Sequence, residues 1–187
     1  MYWEEIHGMF NFDNIYNDAI TQFNDAVFVE IGTWKGKSAI YMAEKIKDSG
    51  KNIKFYTVDL FEYVQGYESF TNDGESLSDS FLDEVMANVS PIKDYINIIK
   101  GRSYEIADQF EDKSIDFIFI DGDHSYLGVK KDLEAWYPKI KLDRIIAGHD
   151  YSERSCGVKK AVDEFFAKNK ISINRSSWIF NTINNNF

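Results

Sequence analysis

Residues 27–38 read Val-Phe-Val-Glu30-Ile-Gly32-Thr33-Trp34-Lys-Gly36-Lys37-Ser38. No other stretch constrains the fold so tightly. An apolar, β-branched run passes through a glutamate and turns on two glycines into a helix-forming segment. That is the pattern of a buried parallel strand handing its C-terminal end to a helix N-terminus, the crevice where open α/β sheets take nucleotide ligands. The glycines permit backbone conformations and close approaches that a Cβ would block. Glu30 stands where a carboxylate can meet a cation or a hydroxyl.

The rest of the chain repeats the theme. Apolar runs suited to buried strands recur at 27–31, 53–58, 95–99, 115–120 and 144–147. Between them Ala39, Met42, Ala43 and Ile46 share one helical face, as do Val129, Leu133 and Trp136, and then Val158, Ala161, Val162, Phe165 and Phe166. Such alternation predicts a parallel sheet with helices on both faces and right-handed crossovers. The runs 171–174 and 177–181, separated by Arg175-Ser176, predict a hairpin that adds an antiparallel pair at one edge. Residues 15–23 read as an amphipathic helix within an N-terminal cap (1–25). Residues 62–79 lack periodicity, follow the second strand and are read as a lid.

At 187 residues, with 15 Phe, 11 Tyr and 4 Trp, the chain suits one domain with a proper core. Its net charge of −10 disfavours nucleic acid as a partner, because that affinity comes mostly from neutralising phosphates. The single cysteine, Cys156, forms no internal disulfide, and no Cys/His spacing resembles a zinc site. The opening Met-Tyr-Trp-Glu-Glu-Ile carries acids where a signal peptide needs positive charge, and no apolar stretch approaches membrane-spanning length. A cytoplasmic protein with no membrane partner is expected.

Three ligands suit a strand–glycine–helix turn. A dinucleotide wants G-x-G-x-x-G, and Trp34 occupies the middle glycine's place. A phosphate-binding P-loop wants four residues between its glycines; Gly32 and Gly36 enclose three, and Glu30 would repel phosphates. A cationic nucleoside, S-adenosylmethionine (SAM), fits a glutamate, a turn without phosphate wrap, and Asp59 placed at the end of the next strand for ribose hydroxyls. Glu30 and Asp59 could instead cap helices or pair with lysines, but acids ending two adjacent strands favour the ligand.

On these residues, together with Gly8-Met9-Phe10, Gly101-Arg102-Ser103, Asp121-Gly-Asp-His124-Ser-Tyr126 and Ala147-Gly-His149-Asp150-Tyr151, the chain resembles the class I SAM-dependent methyltransferases. It is most similar to the O-methyltransferases related to macrolide-sugar and cephalosporin-hydroxylase-like enzymes, with catechol O-methyltransferase more distant. The resemblance implies a Rossmann-like three-layer α/β sandwich with a mostly parallel seven-stranded sheet. It implies that Glu30, Gly32, Thr33, Trp34, Gly36 and Ser38 surround the methionine part of SAM. Asp59 would hold the ribose, Leu60 or Phe61 would lie against adenine, Ser103 would stand at the adenine end and Asp121 near the methionine amine. Ser103 could equally be a plain helix N-cap.

Methyl transfer to a hydroxyl needs alignment, a proton acceptor and exclusion of water. His124, three residues after Asp121, is the candidate base. Asp121, His149 and Asp150 are the candidate ligands of a divalent metal, Mg²⁺ or Mn²⁺; imidazole suits softer ions than Mg²⁺, so the site is open to Mn²⁺ or Fe²⁺, to Mg²⁺ held without His149, or to His149 as a second base. Tyr126 and Tyr151 either line an acceptor pocket or pack beneath the lid. Trp136 and Tyr137 end a helix in the core, Arg154 is solvent-exposed, residues 139–144 form a charged surface turn, and Cys156 is a small packed or helix-start residue. The expected acceptor is a small molecule of sugar or natural-product type, and a homo-oligomer is admitted by analogy. The rivals are a P-loop-like phosphotransferase and a SAM-binding protein without catalysis.

Overall fold

The computed structural model describes residues 2–62, 81–167 and 170–182. Apart from Glu62, the expected lid at 62–79 lies outside these described residues.

Seven strands form one sheet: β1 (Asp25–Ile31), β2 (Asn52–Asp59), β3 (Asn97–Lys100), β4 (Ile115–Ile120), β5 (Ile140–Gly148), β6 (Ser172–Asn174) and β7 (Ser177–Asn181). Their order is β3-β2-β1-β4-β5-β7-β6, parallel through β5 and antiparallel at the last two pairings. The helices are α1 (Asp13–Gln22), α2 (Lys37–Ser49), α3 (Phe81–Val89), α4 (Ser103–Ile106), α5 (Tyr126–Trp136) and α6 (Cys156–Phe166). Side chains alternate across a strand, so one run feeds both faces. Phe28, Phe117 and Phe119 pack with residues of α1, α2 and α3, while Val29, Ile31, Ile118 and Ile120 pack with α4, α5 and α6. The three-layer α/β architecture and the terminal hairpin agree with the sequence reading.

The hairpin positions the site. Gly148 pairs with Trp178 in antiparallel sense, so the turn at Arg175-Ser176 lies at the rim where the parallel strands end. Arg175 holds the left-handed conformation there, with φ 55°.

Two boundaries differ from expectation. The third strand begins at Asn97, because Pro91 sits in a 3-10 helix, Ser90–Tyr95, that occupies the preceding residues. Residues 139–144 are largely strand: β5 starts at Ile140, and its pairing with β4 shifts between Ile115 and Phe117. The charges that suggest a solvated turn are partly directed inward. Asp116 is only 2% exposed and accepts hydrogen bonds from Val27 N (3.0 Å), Lys141 Nζ (2.7 Å) and Arg144 Nε (2.8 Å). Burial alone would raise its pKa, but Lys141, Arg144 and the Val27 amide outweigh that and hold it below the ordinary carboxylate value.

Loss of the Asp116 carboxylate leaves the Val27 amide without its acceptor and removes the charge that Lys141 and Arg144, both about a third exposed, turn toward. Asp116→Ala should therefore destabilise the fold by ~2 kcal/mol in urea unfolding. A loss under ~0.5 kcal/mol, the size of an ordinary surface substitution, would mean that the cluster does not anchor β4 to β1 and β5.

Candidate active site

The glycine turn lies where β1, β2 and β4 end together. Gly32 takes φ +95°, and a Cβ there would stand 2.1 Å from the Asp121 carbonyl oxygen. Gly36, at φ +92°, caps α2. Between them Trp34 adopts φ 48° and remains 37% exposed, its ring 5.5 Å from that of Phe81.

Glu30 does not present its carboxylate to the crevice. It is 1% exposed, and both oxygens accept hydroxyl donors: Oε1 from Tyr16 (2.7 Å) and Ser38 (2.6 Å), Oε2 from Thr57 (2.9 Å). Thr33 Oγ1 lies 2.6 Å from Thr57 Oγ1. Because Thr57 spends its proton on Glu30, the chain runs Thr33 to Thr57 to Glu30. Burial lifts the Glu30 pKa to about 7 against the pull of these donors. Ser38 is likewise committed to Glu30, so these two residues support the turn from beneath.

Asp59 closes the turn from the β2 side. Oδ2 accepts the backbone N–H groups of Thr33 (2.8 Å) and Trp34 (3.0 Å), and Oδ1 accepts that of Phe61 (2.9 Å). A carboxylate offers about four acceptor sites, so roughly one is left for a ligand hydroxyl. Leu60 is half-buried beside it, whereas Phe61 is buried with φ 50° and its ring lies 6.3 Å from Phe81. Ser103 turns elsewhere: it opens α4, and its hydroxyl donates to the Asp132 carboxylate on α5. The helix cap itself is Arg102, without a side-chain bond, so Ser103 is not the N-cap.

At the ends of β4 and β5, one ligand atom each from Asp121, His124 and Asp150 lie within 4.8 Å of one another. His124 Nε2 is 3.3 Å from both Asp121 Oδ1 and Asp150 Oδ2. Burial would lower the His124 pKa, yet the hydrogen bond and charge of Asp121, joined by Asp150 and Asp123, hold it above the ordinary imidazole value. The sequence reading placed His149 in the metal set; His124 is instead the imidazole of the compact cluster. His149 is 7% exposed, with Nδ1 3.5 Å from Asp150 Oδ1 and 3.8 Å from Asp121 Oδ1, and Nε2 turned to Asn11 and Ser176. Asn11, Tyr16, Thr57, Asp132 and Ser176 escaped sequence reasoning, since an isolated polar residue carries no local signal.

The remaining candidates are supports or surface. Tyr126 donates to Glu164 and Tyr151 to Asp163, so both hydroxyls serve α6. Trp136 is fully buried at the end of α5 and Arg154 is exposed, as expected. Cys156 does start α6 but is exposed, not packed. Among the described residues, no helix is long and apolar enough to cross a membrane.

A doubly wound sheet in this order, with a glycine turn held by the acid of the neighbouring strand, is the fold of the class I methyltransferases. The methyltransferase domain family matches residues 29–151, and the chain belongs to that family. Similar solved structures include the O-methyltransferase NovP, with TM-score 0.71 and 21% identity over 91% of this chain and 77% of that one. An O-methyltransferase of Bacillus cereus in complex with S-adenosylhomocysteine (SAH) has TM-score 0.64 and 17% identity, covering 92% of this chain and 81% of the other. CalS11, a TDP-rhamnose 3'-O-methyltransferase, has TM-score 0.63 and 13% identity, covering 90% and 76%. At these identities the likeness is one of fold. The uncharacterized protein y4gI of Sinorhizobium fredii is 29% identical over 129 residues, 69% of this chain but 13% of that protein.

Asp132 is 1% exposed, and burial raises its pKa from 3.8 to about 7, with Ser103 pulling the other way. The folded carboxyl keeps a proton that the unfolded chain releases near 3.8, so this group's stability is full below that value and falls as pH rises toward 7. Asp132→Asn should remove the fall. Between pH 4 and 8 the unfolding free energy of the variant, relative to the parent, should shift in its favour by ~4 kcal/mol. Parallel stability–pH curves would refute an elevated Asp132.

Proposed function

We propose that this chain is a SAM-dependent O-methyltransferase that acts on a hydroxyl of a small molecule of sugar or natural-product type. The observation that carries the reading is the contact between the glycine turn and Asp121, which sets a cofactor crevice directly against the Asp121, His124, Asp150 cluster. Membership of the methyltransferase family supports it, and NovP and CalS11, both named as O-methyltransferases, support the choice of oxygen; the name of CalS11 supports a sugar acceptor. The lone cysteine suits a reducing cytoplasm.

The residues fit the cofactor. Gly32 and Gly36 would leave room for the methionine part, Trp34 is exposed on the lip of the turn, Asp59 has about one acceptor site that ribose would use, and half-buried Leu60 beside it would meet adenine. SAM, when bound, supplies a methyl group already activated by a sulfonium. Transfer of that methyl group to an acceptor hydroxyl would leave SAH and release one proton. His124 takes the proton on its imidazole, and Asp121 and Asp150, each 3.3 Å from Nε2, stabilise the imidazolium that results. Glu30 keeps the turn rigid through Ser38 and Thr57, and so preserves alignment between donor and acceptor.

Asp121 and Asp150, with His124 as third donor, also fit a divalent cation, Mg²⁺ or Mn²⁺. Such an ion would polarise the acceptor hydroxyl, and an imidazole among the donors favours Mn²⁺. His124 cannot ligate the ion and accept the proton through the same nitrogen, so excess chelator discriminates between the two roles.

Calorimetry with SAH should give binding that Asp59→Ala weakens at least ~10-fold, by loss of a charge-assisted hydrogen bond. His124→Ala should keep SAH affinity within ~3-fold and lose ~100-fold or more of methyl transfer to a panel of hydroxyl acceptors, the usual weight of a general base. Uptake of ATP without uptake of SAH would overturn the proposal in favour of a phosphotransferase. Normal SAH binding with turnover indifferent to His124 would reassign the protein as a binder.

A further inference from the structure

His149 stands behind the acid pair, on its buried side, whereas His124 approaches the same pair from the open side. The side chain of His149 is 7% exposed and that of His124 is 24% exposed. Asp150 is straddled: Oδ2 faces His124 Nε2 at 3.3 Å and Oδ1 faces His149 Nδ1 at 3.5 Å. Asp121 Oδ1 meets both rings, at 3.3 and 3.8 Å. A ligand that reaches the carboxylates from solvent therefore arrives on the His124 side.

The far edge of the His149 ring is fixed. Nε2 lies 2.9 Å from Asn11 Oδ1 and 2.8 Å from Ser176 Oγ. The Phe12 ring packs at 5.1 Å, and the His149 backbone N–H donates to Ile120 O at 3.0 Å. Its partners are themselves held: Arg175 donates to the Asn11 carbonyl at 2.7 Å, and Tyr151 N donates to the Ser176 carbonyl at 2.7 Å. The N-terminal segment and the β6–β7 turn thus converge on one imidazole at the base of the site.

We propose that His149 is a positioning residue, one that sets the separation and orientation of the Asp121 and Asp150 carboxylates while Asn11 and Ser176 set its ring. Partners behind a ligating carboxylate tune affinity through its orientation, and their loss typically costs 10- to 100-fold in metal binding. The inference rests on the reading of Asp121 and Asp150 as a cation and acceptor site. It removes His149 from the ligand set, and it makes residues distant in sequence part of the working site.

The test uses the full chain and Mn²⁺ alone, titrated by electron paramagnetic resonance, with SAH affinity measured alongside. Asn11→Ala combined with Ser176→Ala should weaken Mn²⁺ binding ~10-fold and leave SAH affinity within ~2-fold, a split that general unfolding would not produce. His149→Ala should do the same. His149→Gln, which retains an amide donor for the carboxylates, should recover most of the loss and serves where the alanine variant fails to fold. In pulsed measurements, whatever imidazole nitrogen coupling the parent shows at the Mn²⁺ should persist in His149→Gln. Nitrogen coupling that vanishes with His149→Gln makes His149 a ligand and overturns the proposal. Parental Mn²⁺ affinity in the Asn11 and Ser176 double variant overturns it too. If the parent binds SAH but no Mn²⁺, the cation arm of the proposed function falls together with this inference; if the parent binds Mn²⁺ and the variants match it, this inference falls alone.

Discussion

The missing side chain at Gly32 is the constraint on which the site depends. Its α-carbon lies against the Asp121 carbonyl so closely that a Cβ would stand 2.1 Å from that oxygen. Around this contact the strand ends are stitched by backbone bonds beyond the regular ladders. Gly101 N donates to Asp59 O and Gly32 N to Val58 O, both at 2.9 Å; Asp121 N donates to Ile31 O at 2.7 Å and His149 N to Ile120 O at 3.0 Å. Each bond steps from one strand to its neighbour, so the rim from β3 to β5 forms a continuous hydrogen-bonded edge. A side chain at Gly32 would push the turn and the Asp121 loop apart and break the edge at its centre.

Two acids at this rim do different work because their surroundings differ. Glu30 is sealed under α1 and α2, satisfied by three hydroxyls, and its pKa rises to about 7 through burial. It is a strut, and the cost of placing a carboxyl there is met by donors from α1, α2 and β2. Asp59 is partly open and accepts backbone N–H groups from both sides of the crevice, so its charge remains at the surface where a ligand can use it. The same residue chemistry at the ends of adjacent strands is sealed in one case and left partly open in the other.

How legible each part was in the sequence follows from how local its causes are. The run at 115–120 matches β4 to the residue, because six consecutive positions are buried and no charge but Asp116 interrupts the pattern. The start of β5 was hidden, since Lys141, Asp143 and Arg144 read as solvated while two of them are spent on Asp116, 25 and 28 residues earlier. At the site, the glycine turn, Asp59 and the strand-end acids were visible as motifs. The roles of Glu30, Ser38 and Ser103 were not, because a motif fixes where a residue stands along the chain and not which way its side chain turns. His124 and His149 illustrate the point. Both follow strand ends beside an aspartate, and only packing against Asn11 and Ser176 sets them on opposite sides of the acid pair.

This separation of causes also divides the site energetically. Glu30 is reached by Ser38 from 8 residues away and by Thr57 from 27, within the first strand–helix–strand unit. The acid pair instead relies on Asn11, separated from His149 by 138 positions. Closing the longer loop carries more conformational entropy, and its contacts form only when the N-terminal segment has docked on the finished sheet. Glu30 shares part of that dependence, because Tyr16 of α1 also donates to it at 2.7 Å. Asp121, Asp123 and Asp150 lie around His124 in a chain of net charge −10, so the rim at the ends of β4 and β5 concentrates negative charge. On the proposed reading, a cationic donor seated at the glycine turn would enter the same field and be drawn toward the acid pair.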